Sequence, residues 1–96
     1  MKNKHTILQI IRGIEPEIRD FGVANLWMFG SAARDETIIH DVDFLVEFVD
    51  RPSFMAFMNL KFFLEEKIGM PVDLFTKQSC PDRFMRRIKS DLLHVA

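Results

Sequence analysis

The stretch Leu26-Trp27-Met28-Phe29-Gly30-Ser31-Ala32-Ala33-Arg34, followed after a short loop by Asp41-Val42-Asp43-Phe44-Leu45-Val46, decides how the rest of the chain reads. An apolar run ends on Gly-Ser, and a second apolar run opens on two carboxylates spaced around one valine. The pattern predicts strand, tight turn, short helix, loop and strand. A helix N-terminus attracts an anion, and paired acidic side chains attract a metal. Together they point to a site for a metal-bound nucleoside triphosphate.

Asp41 to Phe48 alternates cleanly. Val42, Phe44, Val46 and Phe48 share one face and are predicted core, while Asp41, Asp43, Leu45 and Glu47 share the other. A third predicted strand, Pro71-Val72-Asp73-Leu74-Phe75-Thr76, puts Val72 and Leu74 in the core and Asp73 opposite. If this strand pairs with the second, Asp73 sits across from one of the two aspartates, with side chains about 5 Å apart. Three ionised carboxylates that close repel one another, so either one holds a proton or cations neutralise the set. Mg²⁺ suits oxygen ligands completed by water and phosphate, and a pair of such ions can hold both oxygens of a phosphoryl displacement.

Gly30 lets the backbone turn sharply and approach a ligand closely. Ser31 either caps the short helix or binds phosphate oxygens. Arg34 has two readings: it grips a phosphate, or it pairs with Asp35, Glu36 or Asp41. Asp35 to His40 reads as a loop in which Ile38-Ile39 partly packs down.

Elsewhere the pattern is helical. Ile7, Ile10, Ile11, Ile14 and Ile18 recur at three- and four-residue spacing. Pro16 either kinks this helix or opens a second one at its first turn, and Gly22 is a candidate left-handed cap. Val23 to Phe29 is nearly all apolar, as in a strand covered on both faces. Asp50-Arg51-Pro52-Ser53 opens a helix that runs to about Ile68 and closes at Gly69. One stripe of it, Phe54, Phe57, Leu60, Leu64 and Ile68, is predicted core. A second stripe, Met55, Met58 and Phe62, is predicted to face a partner, because a small domain has little room to bury both. Cys80-Pro81-Asp82 starts a last helix on which Phe84, Met85, Ile88 and Leu92 pack. Arg83, Arg86, Arg87 and Lys89 take its solvent side, where they can approach phosphates or an acidic partner.

The bulk properties narrow the classes. Residues 1–96 read as a single domain. A net charge of −1 argues against indiscriminate nucleic-acid binding, so no direct nucleic-acid partner is expected. One cysteine, Cys80, excludes an internal disulfide and a two-cysteine zinc motif. The apolar runs are too short to span a membrane. The start, Met1-Lys2-Asn3-Lys4-His5, is basic but is not followed by a signal-type apolar core. A cytoplasmic location is the expectation. His5 and His94, near the termini, read as surface residues.

Taken together, Phe29-Gly30-Ser31-Ala32-Ala33-Arg34, Asp41-Val42-Asp43 and Val72-Asp73-Leu74 resemble the minimal nucleotidyltransferases, a branch of the DNA polymerase beta-like superfamily. The resemblance covers almost the whole chain. It implies an α+β fold, a small mixed sheet with helices packed on one face. It also implies that Asp41 and Asp43 bind two Mg²⁺ ions and that Asp73 completes one metal site and orients or deprotonates the attacking hydroxyl. Gly30 and Ser31, with Arg34, would hold the triphosphate of ATP. Two positions depart from the family pattern. Asp35 stands where a Gly often follows the Arg, and His40 where a Ser often precedes the first Asp. His40 reads as a structural or loop-capping residue.

Larger relatives carry a second domain that shapes the acceptor pocket, and a chain this small is expected to take its acceptor from a partner. Minimal nucleotidyltransferases are typically antitoxins of HEPN-family toxins, small helical ribonucleases. The resemblance therefore implies a hetero-oligomer in which AMP passes from ATP to a toxin tyrosine. The chain contains no Tyr, so it cannot modify its own tyrosine. Two alternatives stand beside this reading: a non-catalytic binding antitoxin with a relic nucleotide site, and a subunit of an aminoglycoside-type nucleotidyltransferase.

Overall fold

The N-terminal isoleucines fold into two helices, not one. In the computed structural model, which describes residues 2–96, α1 spans Lys4–Gly13 and α2 spans Glu15–Asp20. Met1, the head of the basic start, lies outside the described residues. Pro16 occupies the first turn of α2, where its missing amide costs nothing. This selects the second of the two readings of Pro16. Asn3 caps α1 by accepting from the Thr6 amide at 2.9 Å. Gly22, at φ +85°, turns the chain out of α2.

Four strands follow: β1 (Val23–Phe29), β2 (Val42–Phe48), β3 (Val72–Thr76) and β4 (Leu93–His94). They form one mixed sheet in the order β3-β2-β1-β4. β1 runs antiparallel to β2 and β4, and β2 runs parallel to β3. A parallel pair needs a crossover, supplied here by α3, Phe54–Ile68. Ser53 caps α3 by accepting from the Ala56 amide at 3.0 Å, and Gly69 ends it at φ +77°. Both ends agree with the boundaries read from the sequence.

One face of the sheet carries the main core. Val42, Phe44, Val46 and Phe48 meet Leu26 and Met28 of β1, Ile7 and Ile11 of α1, Ile18 of α2 and Leu60, Leu64 and Ile68 of α3. The expected arrangement of helices on one face thus holds for the bulk of the fold. A short helix, α4 (Asp82–Ile88), adds a smaller cluster on the opposite face, where Ile88 covers Phe29 and Leu45. Leu45, read on the carboxylate side of its strand, is buried there.

Three details differ from the sequence reading. Phe54 is 75% exposed rather than core, because it sits in the first turn of α3, ahead of the buried positions Leu60, Leu64 and Ile68; Phe63 packs instead, 5.0 Å from the Phe21 ring. The chain end forms β4, a strand too short to carry a period. Gly30 to Arg34 forms a turn, not a helix. Its one helical bond, from the Arg34 amide to the Gly30 carbonyl at 3.1 Å, is followed by Asp35 at φ +55°, which stops propagation. No helix among the described residues is long and apolar enough to cross a membrane.

The division of α3 into buried and exposed stripes is testable by urea denaturation. Leu64→Ala, at a fully buried position, is expected to cost about 3 kcal/mol. Phe54→Ser is expected to stay within about 0.5 kcal/mol, as exposed sites do.

Candidate active site

Two backbone links place the carboxylates. The Val42 amide donates to the Pro71 carbonyl at 3.0 Å, which joins the starts of β2 and β3. Glu65 of α3 accepts from the Val72 amide at 3.0 Å and from Lys61 at 3.2 Å. The amide and the Lys61 charge hold the Glu65 carboxyl below its usual range. With the strands so aligned, Asp43 lies directly across from Asp73, and Asp41 stands just before β2 on the same side. Asp41, Asp43 and Asp73 each present a carboxylate oxygen, all within 4.8 Å of one another.

Their electrostatics follow from that proximity. Asp43 is half-buried; burial first, then the Asp41 and Asp73 charges, push its carboxyl from 3.8 up to about 6. A hydrogen bond to Asp73, possible only with a proton between the pair, acts in the same direction, and Arg34 opposes weakly. Among the described residues no basic group forms an ion pair with the three, so the set is suited to receive positive charge.

Gly30 closes this end of the site. At φ +76° it occupies the left-handed region, and a Cβ there would collide with Oδ2 of Asp43. The backbone is thus in direct contact with the carboxylate, an approach open only to glycine. Ser31 is half-buried, and its side chain caps no amide among the described residues. Without a helix after it, the expected helix N-terminus for phosphate is absent. What remains is a tight turn with a free hydroxyl.

Arg34 takes the ion-pair reading. Its Nε donates to Glu36 at 2.9 Å, and a terminal nitrogen pairs with Asp91, just beyond α4. Both partners raise its pKa. Glu36 was among the partners expected for Arg34; Asp91 lies 57 residues away, and no local pattern announces it. Glu65 was likewise invisible in sequence, since its role exists only once α3 lies beside β3. Asp35 at positive φ explains why glycine suits that position, and its Oδ1 accepts from the Lys4 amide at 3.2 Å. His40 is exposed and makes no hydrogen bond to the carboxylates. His94 is exposed too, but it is anchored, with Nε2 2.9 Å from Oδ1 of Asn25.

Residues 11–94 match the sequence profile of the nucleotidyltransferase domain. The chain is 34% identical over 91 residues to a Thermococcus cleftensis protein named protein adenylyltransferase MntA, covering 93% of this chain and 92% of that one. Its fold is similar to a solved minimal nucleotidyltransferase candidate at a TM-score of 0.83 and 22% identity, over 96% of this chain and 95% of the other. It is also similar, at a TM-score of 0.70 and 18% identity, to a chain in the structure of a tri-AMPylated Shewanella oneidensis HEPN toxin in complex with MNT antitoxin. That match covers 93% of this chain and 71% of the other.

Two substitutions probe the geometry. Between pH 3.8 and about 6 the folded chain retains a proton on Asp43 that the unfolded chain has lost. Stability therefore falls as pH rises through that window. In chelator-treated protein, Asp43→Asn should raise stability at pH 7 by about 1 kcal/mol, after discounting for partial exposure, and the gain should vanish below pH 3.8. Gly30→Ala should cost about 1–3 kcal/mol through the strained φ and the displaced carboxylate, as read by thermal melts at neutral pH.

Proposed function

We propose, from the premise that this chain belongs to the nucleotidyltransferase domain family, that it transfers AMP from ATP to a tyrosine of a partner protein, a HEPN-type ribonuclease toxin, and so acts as its antitoxin. The observation that carries the catalytic part is the convergence of Asp41, Asp43 and Asp73 within 4.8 Å. The acceptor rests on similarity to a named protein adenylyltransferase and on the likeness of fold to a chain of the AMPylated toxin complex. The absence of tyrosine from this chain directs the reaction outward.

The donor set fits magnesium. Burial and two neighbouring carboxylates raise the pKa of Asp43, and hard oxygen ligands suit Mg²⁺. Asp41 and Asp43 would hold two ions and Asp73 would complete one site. Bound there, Mg²⁺ supplies charge neutralisation of the phosphates and of the leaving group.

The remaining steps belong to the chain's own residues. Asp73, exposed at the edge strand, orients the acceptor hydroxyl and takes its proton. The tyrosine oxygen forms a bond to the α-phosphorus of ATP as the bond from that phosphorus to the bridging oxygen breaks, and pyrophosphate leaves. Gly30 and Ser31 hold the triphosphate with a close backbone and a hydroxyl. Arg34, paired with Glu36 and Asp91, orders this turn.

Co-expression with a helical HEPN-like partner, read by intact mass, tests this function. AMP should appear on the partner and not on this chain. Asp41→Asn with Asp43→Asn should reduce AMP addition by at least about 10³-fold while preserving the complex. Full neutralisation of the toxin by that double variant would sink the catalytic reading in favour of steric binding.

A further inference from the structure

The sheet face that bears the aspartates holds a second feature that the transfer reaction does not use. Beyond α4, a cleft of about 290 Å³ opens between the helix and the strands. Its floor is Leu45, Met85 and Leu92, and its rim is Lys77, Arg86 and Lys89. Lys77 is shared with Glu47 at 3.5 Å. Arg86 and Lys89 are exposed and make no ion pair among the described residues. The segment Asp82–Asp91 carries four cations against two acids, net +2, in a chain whose net charge is −1. One of those two acids, Asp91, is committed to Arg34. The basic face is therefore local and uncompensated.

Charge and apolar floor together define an occupant. Trp27 also lines the cleft, but Lys77 sits 5.4 Å above its ring and the His94 ring abuts it at 5.8 Å. With Lys77 over one face and His94 packed against it, the ring is already engaged and is a poor platform for base stacking, the interaction by which flexible nucleic acid is held. Nor has the chain, at pI 6.3, the strongly basic balance of nucleic-acid binders. Methionine adapts to apolar side chains of differing shape. We infer that the α4 cleft docks an acidic amphipathic segment of the acceptor protein, with aliphatic side chains on Met85 and Leu92 and carboxylates on Arg86 and Lys89. This rests on the reading that the chain acts on a protein partner. An acidic segment is drawn to the unpaired cations of α4 and repelled by the carboxylates of Asp41, Asp43 and Asp73. Complementary charge of this kind mainly raises the association rate.

The probe is a fluorescein-labelled helical peptide of Glu and Leu with one leucine stripe, titrated with the full chain and followed by anisotropy. A single-stranded oligouridylate serves as the competing polyanion. Arg86→Glu with Lys89→Glu should weaken the peptide at least about tenfold at low salt. Lys4→Glu with Arg12→Glu, which changes net charge equally but lies on α1, should leave it within about twofold. Circular dichroism of both variants checks the fold. Equal loss in both variants, tighter binding of oligouridylate than of peptide, or no binding of peptide would each overturn the proposal. AMP transfer is measured separately: at saturating acceptor the α4 variant should retain it. Loss of transfer with peptide binding intact counts against the proposed function and not against the cleft.

Discussion

The parallel register between β2 and β3 is the constraint on which the candidate site depends. It sets Asp43 against Asp73, and it does so against their mutual repulsion. The pairing is enforced from outside the carboxylates. The Val42–Pro71 bond aligns the strand starts, Glu65 holds the Val72 amide, and Leu60, Leu64 and Ile68 press α3 onto the sheet. The buried apolar contacts are large in total and non-directional, whereas the two hydrogen bonds select one register among those the core would tolerate. A one-residue slip would send Asp73 into the core and Val72 into water.

That enforced proximity stores unfavourable electrostatic energy in the metal-free chain. The raised Asp43 carboxyl reflects burial first and then these neighbouring charges, and binding of positive charge offsets both. Gly30 tightens the same arrangement from the other side, since its backbone occupies the space a side chain would need. The turn after it is held by charge. Arg34 bridges Glu36 and Asp91, so the end of α4 and the Gly-Ser turn are parts of one unit.

The two faces of the sheet divide the work. One is closed by α1, α2 and α3 and supplies stability. The other is covered only in part, by α4, and leaves the aspartates and a basic cleft open. Of the second stripe of α3, Met55 and Phe62 are 61% and 53% exposed, while Met58 is half-buried. Phe54 and Phe75 join them as exposed aromatics, and both line one open cavity beside β3.

By itself, the sequence determined the strands β1, β2 and β3, the caps Ser53, Gly22 and Gly69, and the pairing of Asp41 with Asp43 on one strand face. These follow from local rules: a period of two, a φ that only some residues accept, a side chain within reach of its own helix end. It also carried the motif that joins Gly30-Ser31 to the aspartates. Tertiary structure alone decided that Asp73 would stand in register with Asp43, that Glu65 would brace β3 and that Asp91 would hold Arg34. It decided as well that Gly30 to Arg34 would be a turn and that the chain end would add β4 to β1. Each of these joins residues far apart in the chain. No period or cap encodes such a contact; it exists only when packing brings the two segments to one place.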